Sequence, residues 1–147
     1  MNYYVAALKR YAVFRGRASK TEYWMFAWFN LIFGVVAFIL DVVFRTSSVI
    51  KIDLTNFLVL FPGEISGFFG PLYFLAILIP FLAVTVRRLH DTGKSGWWCL
   101  LGLIPLVGTI WLIVLLASDG DREENAYGPV VPENAYVYKP LQQRVTD

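Results

Sequence analysis

Chemistry-bearing side chains are concentrated in one stretch, RRLHDTGKSGWW, from Arg87 to Trp98. It holds two arginines, the single histidine, an aspartate, a lysine and two glycines. Three chemistries suit such a set. His90 with Asp91 offers acid–base catalysis, but adjacent residues diverge on a regular element, and no nucleophile or metal set accompanies them. Arginine forks together with backbone N–H groups exposed at Gly93 and Gly96 suit an oxyanion, either a lipid headgroup or a phosphate-bearing small molecule. The same residues also suit plain membrane architecture, with Arg87 and Arg88 at headgroups and a tight turn between two helices. Thr92-Gly93-Lys94-Ser95 imitates the end of a phosphate-binding P-loop, but the required first glycine falls on Arg88 and no soluble strand precedes it. The candidate anion-contacting set is therefore Arg15, Arg17, Lys20, Arg87, Arg88, His90 and Lys94. No catalytic residue, metal site or cofactor is assigned, and no nucleic-acid partner is expected.

The elements that must position this set are membrane helices. Of 147 residues, 57% are hydrophobic and only 16% charged, against about 25% charged in soluble domains. A span needs about 20 apolar residues to cross roughly 30 Å of hydrocarbon, and three stretches qualify: 23–44, 68–86 and 97–117. The first is too long for a secretory signal and has no cleavage pattern behind it. Helices are required because lipid forces each segment to satisfy its own backbone. The predicted architecture is an all-α membrane protein with three transmembrane helices. An N-terminal segment (1–22) precedes the three-helix domain (23–117), and a polar tail (118–147), expected to be extended or disordered, follows it. In the 45–67 loop, Leu54–Phe61 is too short to span, and Ile50 and Ile52 alternate with Lys51 and Asp53 as a weak strand signal without a partner.

Cationic residues set orientation. With the N-terminus and the Arg87–Lys94 loop inside, eight cations lie inside and five outside. Trp24, Trp28, Trp97 and Trp98 serve as interfacial anchors at the inner level. The expected topology is N-terminus cytoplasmic and C-terminus periplasmic. In the N-terminal segment, Tyr4, Ala7, Leu8 and Tyr11 share a helical face. This predicts a short amphipathic helix, lying on the inner leaflet or packed on the protein's own spans. Ser19-Lys20-Thr21-Glu22 is a capping-box pattern in which Ser19 accepts from Glu22 and Glu22 reaches back. Asp41, the one ionisable residue within a span, has Arg45 four residues on and is expected to pair with it. Asn30 and Thr85 are expected to hydrogen-bond between helices, and Pro80 and Pro105 to kink theirs.

The chain resembles a family of small bacterial inner-membrane proteins, the domain of unknown function 805. The resemblance rests on FRGRASKTEYW before the first span, RRLHDTGKSGWW, IPLVGTIWLIVLL and the NAYGP element, from Phe14 to Pro129. It implies a bacterial cytoplasmic (inner) membrane location and a three-helix core, with no activity and no catalytic residues. The reading is a non-enzymatic structural or interaction protein whose basic inner face contacts anionic phospholipid, with a homo-oligomer as an open possibility. A transporter or channel subunit working as an oligomer is one alternative, and a membrane enzyme acting on a phosphate-bearing lipid is the other.

Overall fold

The computed structural model describes residues 2–44, 50–53 and 64–131. Helix α1 spans Asn2–Lys9, α2 Lys20–Val43, α3 Phe69–Asp91 and α4 Val107–Ala117, and a 3-10 helix occupies Gly96–Leu103. Strand β1 (Ile50–Asp53) pairs antiparallel with β2 (Glu64–Gly67), with Ile50 opposite Gly67 and Asp53 opposite Glu64. The strand signal at Ile50 and Ile52 thus finds its partner in Glu-Ile-Ser-Gly, a sequence with little strand character of its own, so the fold is helical with one small ribbon. Arg45, Leu54–Phe61 and the tail from residue 132 on lie outside the described residues.

At about 1.5 Å per residue, α2 and α3 measure roughly 36 and 34 Å, and both are long and apolar enough to cross a membrane. Their apolar side chains point mostly outward: Leu31, Ile32, Phe33, Val35, Phe38 and Ile39 of α2 are all exposed. Contiguous apolar surface of this extent is foreign to a water-soluble monomer. α3 runs through Pro80 as one helix. Helix α1 packs on the flank of α2, with Tyr4 stacked on Phe26 at 5.3 Å between centroids and touching Phe29 and Phe33, and with Ala7 buried.

The third apolar stretch departs from its expectation. Residues 97–117 are not one helix but two short legs, the 3-10 helix and α4, joined by a sharp reversal at Ile104–Leu106. Pro105 has no N–H to continue a helix and holds Ile104 extended at φ −88°, ψ 115°. Leu106 then takes φ 57°, ψ −68°, and Val107 N–H donates to the Pro105 carbonyl at 2.7 Å, which is a γ-turn. The legs close tightly: a Cβ on Gly108 would collide with the Leu101 carbonyl and the Ile104 side chain.

Each leg is about 16 Å long at 2.0 Å per residue for the 3-10 helix and 1.5 Å for α4, about half a bilayer core. The hairpin leaves from the C-terminal end of α3 and returns to it, because Arg88 donates to the Leu116 carbonyl at 3.1 Å and Asp121 N–H to the Asp91 carbonyl at 2.8 Å. Residues 118–131 therefore sit at the same end of the helix pair as the start of α2. This corrects the single helix expected over 97–117, and it puts residues 118–131 at the end of the helix pair that the N-terminal segment occupies, not at the opposite end. The buried core gathers at the shared end, from Ala18, Tyr23, Phe26, Val84, Leu89, Leu112 and Leu116.

Candidate functional site

The first five residues of the expected loop, Arg87–Asp91, are helical and form the end of α3. The helix stops one residue later, at Thr92, in a Schellman arrangement. Gly93 takes φ +68°, Lys94 N–H donates to the Leu89 carbonyl at 2.9 Å and Gly93 N–H to the His90 carbonyl at 3.1 Å. Helical spacing puts Arg88 and Asp91 on one face and carries Arg87 toward α2.

Asp91 is the hub. Its Oδ1 accepts from Arg17 Nε at 2.8 Å, and its Oδ2 accepts from Arg88 Nη1. Both guanidinium groups are essentially inaccessible, at 1% and 0% side-chain exposure. Their remaining N–H groups go to backbone carbonyls of the returning chain. Arg88 Nε takes Leu116 and Nη2 takes Ser118, which satisfies the otherwise open carbonyl end of α4. Its charge also sits favourably at that end of the helix dipole. Arg17 reaches Asp121 at 2.5 Å, Glu123 at 2.8 Å and Gly128 at 3.4 Å. Gly120 has to be a glycine, because a Cβ there would overlap the Asp91 carboxylate.

A second buried pair lies beside this cluster. Arg87 Nη1 donates to Glu22 Oε1 at 2.8 Å, with side-chain exposures of 1% and 0%. Arg87 Nε and Nη2 and Glu22 Oε2 have no hydrogen-bond partner among the described residues. Ser19 does cap α2 by accepting from Glu22 N–H at 3.1 Å. The reciprocal half of the capping box is not made, because the Glu22 carboxylate turns inward to Arg87.

His90 and Asp91 do not pair. His90 Nδ1–H donates to the Gly16 carbonyl at 3.2 Å, and its ring stacks on Tyr127 at 3.9 Å and 3°. Asn125 donates to the His90 carbonyl at 3.0 Å, so the Asn-Ala-Tyr-Gly turn is docked on the end of α3. Asn125 Oδ1 accepts from Tyr127 N–H at 2.9 Å, an Asx turn that shapes it. Among the described residues no set of His, Cys, Asp and Glu is grouped as metal ligands.

The candidate anion-contacting residues thus divide in two. Arg17, Arg87 and Arg88 are buried and committed to carboxylates and carbonyls, and His90 is half-buried beneath Tyr127. Arg15 and Lys94 are exposed, Lys94 lying 5.9 Å from the Trp98 ring. Lys20 is half-exposed and meets Asp119 at 3.2 Å. Trp28, Trp97 and Trp98 are exposed, while Trp24 packs edge-on against Tyr23 at 5.5 Å.

Three further arrangements lay beyond the sequence patterns. Asp91 as a shared counter-ion and Glu22 as the partner of Arg87 are both long-range pairings. The third is Asp41, whose carboxylate accepts from the N–H groups of Phe68, Phe69 and Gly70 at 2.7, 2.9 and 2.6 Å. It caps the start of α3 from α2, with Gly67 leaving room for it. Between the long helices, Tyr73 donates to Asn30 Oδ1 at 2.6 Å. Thr85 donates within α3 to Phe81 and meets the Tyr23 hydroxyl of α2.

Residues 11–129 match the sequence profile described as "Protein of unknown function (DUF805)", a range that contains every member of the ion cluster. The chain is 39% identical to the Inner membrane protein YhaH of Escherichia coli (strain K12) over 129 residues, covering 88% of this chain and 95% of that one. It is 37% identical to the Inner membrane protein YhaI of the same organism over 128 residues, covering 87% and 93%. No solved structure matches the chain. The chain belongs to the DUF805 family of proteins of unknown function.

Proposed function

We propose that this protein is a multi-pass component of the bacterial inner membrane, acting as a structural or interaction protein rather than an enzyme. In this reading α2 and α3 cross the bilayer. The 96–117 hairpin enters and leaves on the cytoplasmic side, and both ends of the described chain share that side. The observation that carries the reading is the grip of Arg17 and Arg88 on the carbonyls of Leu116–Glu123. The grip engages the strongest functional groups with the protein's own chain.

Charge supports the same orientation. Lys9, Arg10, Arg15, Arg17, Lys20, Arg87, Arg88, Lys94 and Arg122 all belong to segments at the shared end, against Arg45 and Lys51 in the connection between α2 and α3. That asymmetry favours this end as cytoplasmic. The exposed cations there, Lys9, Arg10, Arg15 and Lys94, face the headgroup level and contact anionic phospholipid at about 1 kcal/mol each.

Proteoliposomes of the wild type and of a Lys9→Gln/Arg10→Gln/Arg15→Gln/Lys94→Gln variant are compared for recruitment of phosphatidylglycerol over phosphatidylcholine to the protein's annulus. Enrichment that the variant loses supports the lipid contact. Equal enrichment in both sinks it, while leaving the topology to be judged separately.

A further inference from the structure

We propose that residues 97–117 have two competing membrane topologies, and that the Arg17–Asp91–Arg88 cluster is the latch that selects the hairpin. With the latch broken, the segment crosses the bilayer as a third helix and carries residues 118–147 to the opposite side. This rests on the two-span reading above.

The segment itself is suited to either state. Straightened, its 21 residues (Trp97–Ala117) would measure about 32 Å, the thickness of the hydrocarbon core, and none of them is charged. Pro105 would cost a straight helix one backbone bond, a defect that membrane helices accommodate. The hairpin is the locally expensive form. It holds an eight-residue 3-10 run where runs beyond three or four residues are uncommon, and it forces the non-glycine Leu106 to positive φ. Nor does the tail resist transfer. Residues 118–131 carry Asp119, Asp121, Glu123 and Glu124 with Arg122 as their single cation, and acidic residues weigh little in setting topology.

Local preference and tail charge therefore leave the choice to tertiary contacts. Those contacts converge on the return point: Arg88 on Leu116 and Ser118, Arg17 on Asp121 and Glu123, and Gly120 flush against Asp91. Breaking a buried ion pair shifts a competing equilibrium by roughly 10²- to 10⁴-fold, enough to turn a rare arrangement into a major one.

The test is thiol labelling in a Cys99→Ser background with a single cysteine at either Arg15→Cys or Glu124→Cys. A membrane-impermeant maleimide is applied to spheroplasts, intact or lysed. The wild-type background is expected to protect both positions until lysis. The latch variant, Arg17→Gln with Asp91→Asn, is expected to expose position 124 in intact spheroplasts to a major fraction while position 15 stays protected. Adding Asp119→Arg and Glu123→Arg to that variant restores protection, because cations near a span hold a flank inside. A second variant, Pro105→Ala with Gly108→Leu, leaves the latch residues in place and favours the straight helix, so it gives the same exposure even if the latch variant is degraded. If position 124 stays protected in an accumulating latch variant, or in the second variant where the latch variant is degraded, the latch proposal is wrong and the two-span reading stands. If position 124 is reached in wild-type spheroplasts, the two-span reading itself is wrong.

Discussion

Replacing Glu22 and Arg87 singly and together distinguishes a pair that stabilises the fold from one that merely tolerates burial. One hydrogen bond joins them, at 2.8 Å, worth about 1.5–3 kcal/mol as a charge-assisted contact. Against it stand the desolvation of two ions, several kcal/mol each, and the unmet Arg87 Nε, Arg87 Nη2 and Glu22 Oε2, about 1–3 kcal/mol apiece. The balance is unfavourable relative to apolar residues of similar shape. Glu22→Met or Arg87→Met alone leaves an uncompensated buried charge and is expected to cost about 3–5 kcal/mol. The double variant removes both charges, leaves the Ala18 N–H to Arg87 carbonyl bond intact, and is expected to lie within about 1 kcal/mol of the wild type or above it. Unfolding in mild detergent, followed by near-ultraviolet circular dichroism against added sodium dodecyl sulfate, ranks the four proteins. A double variant as unstable as the two single losses combined would refute the reasoning, since the pair would then hold the helices together beyond its own electrostatics.

Three further outcomes follow from separate contacts. Asp41→Ala removes the acceptor for three N–H groups at the start of α3 and should cost about 1–2 kcal/mol; faster hydrogen exchange at Phe68–Gly70 checks it, and unchanged exchange counts against the cap. Gly120→Ala should loosen residues 118–131 as strongly as Asp91→Asn does, read as earlier cleavage in that segment by limited proteolysis in detergent. Resistance equal to the wild type would mean that the close approach to Asp91 is not needed. Tyr73→Phe should lower stability by about 0.6 kcal/mol, the ordinary worth of a hydrogen bond between membrane helices. A loss several times larger would mark Asn30 as more than a helix-packing contact.

How much was legible in the sequence depends on the range of the interaction concerned. The two long helices were legible because hydropathy is a property of each segment alone. Ser19 as a cap was legible because its acceptor bond closes within three residues. Glu22 was misassigned for the same reason: the local pattern supplies a backbone partner, while the actual partner, Arg87, lies 65 residues away. Ile50 and Ile52 carried half of a ribbon whose other half is featureless in sequence. Sequence reasoning places Arg17, Arg87 and Arg88 in one cationic set with Arg15, Lys20, His90 and Lys94, but their burial is invisible to it, since the carbonyls that hold Arg17 and Arg88 belong to a segment expected at the other end.

The amino-acid order by itself therefore determined what must meet lipid, where α2 begins and which end carries the cations, because transfer free energy, capping and charge placement are local or additive. It misjudged residues 97–117 as one full span, since 21 apolar residues suit that length but can also fold as a half-depth pair. Tertiary structure decided that point. The reversal at Pro105 and Leu106 sets no destination for the returning leg; the carboxylate of Asp91, shared between two buried arginines, holds it at the end of α3.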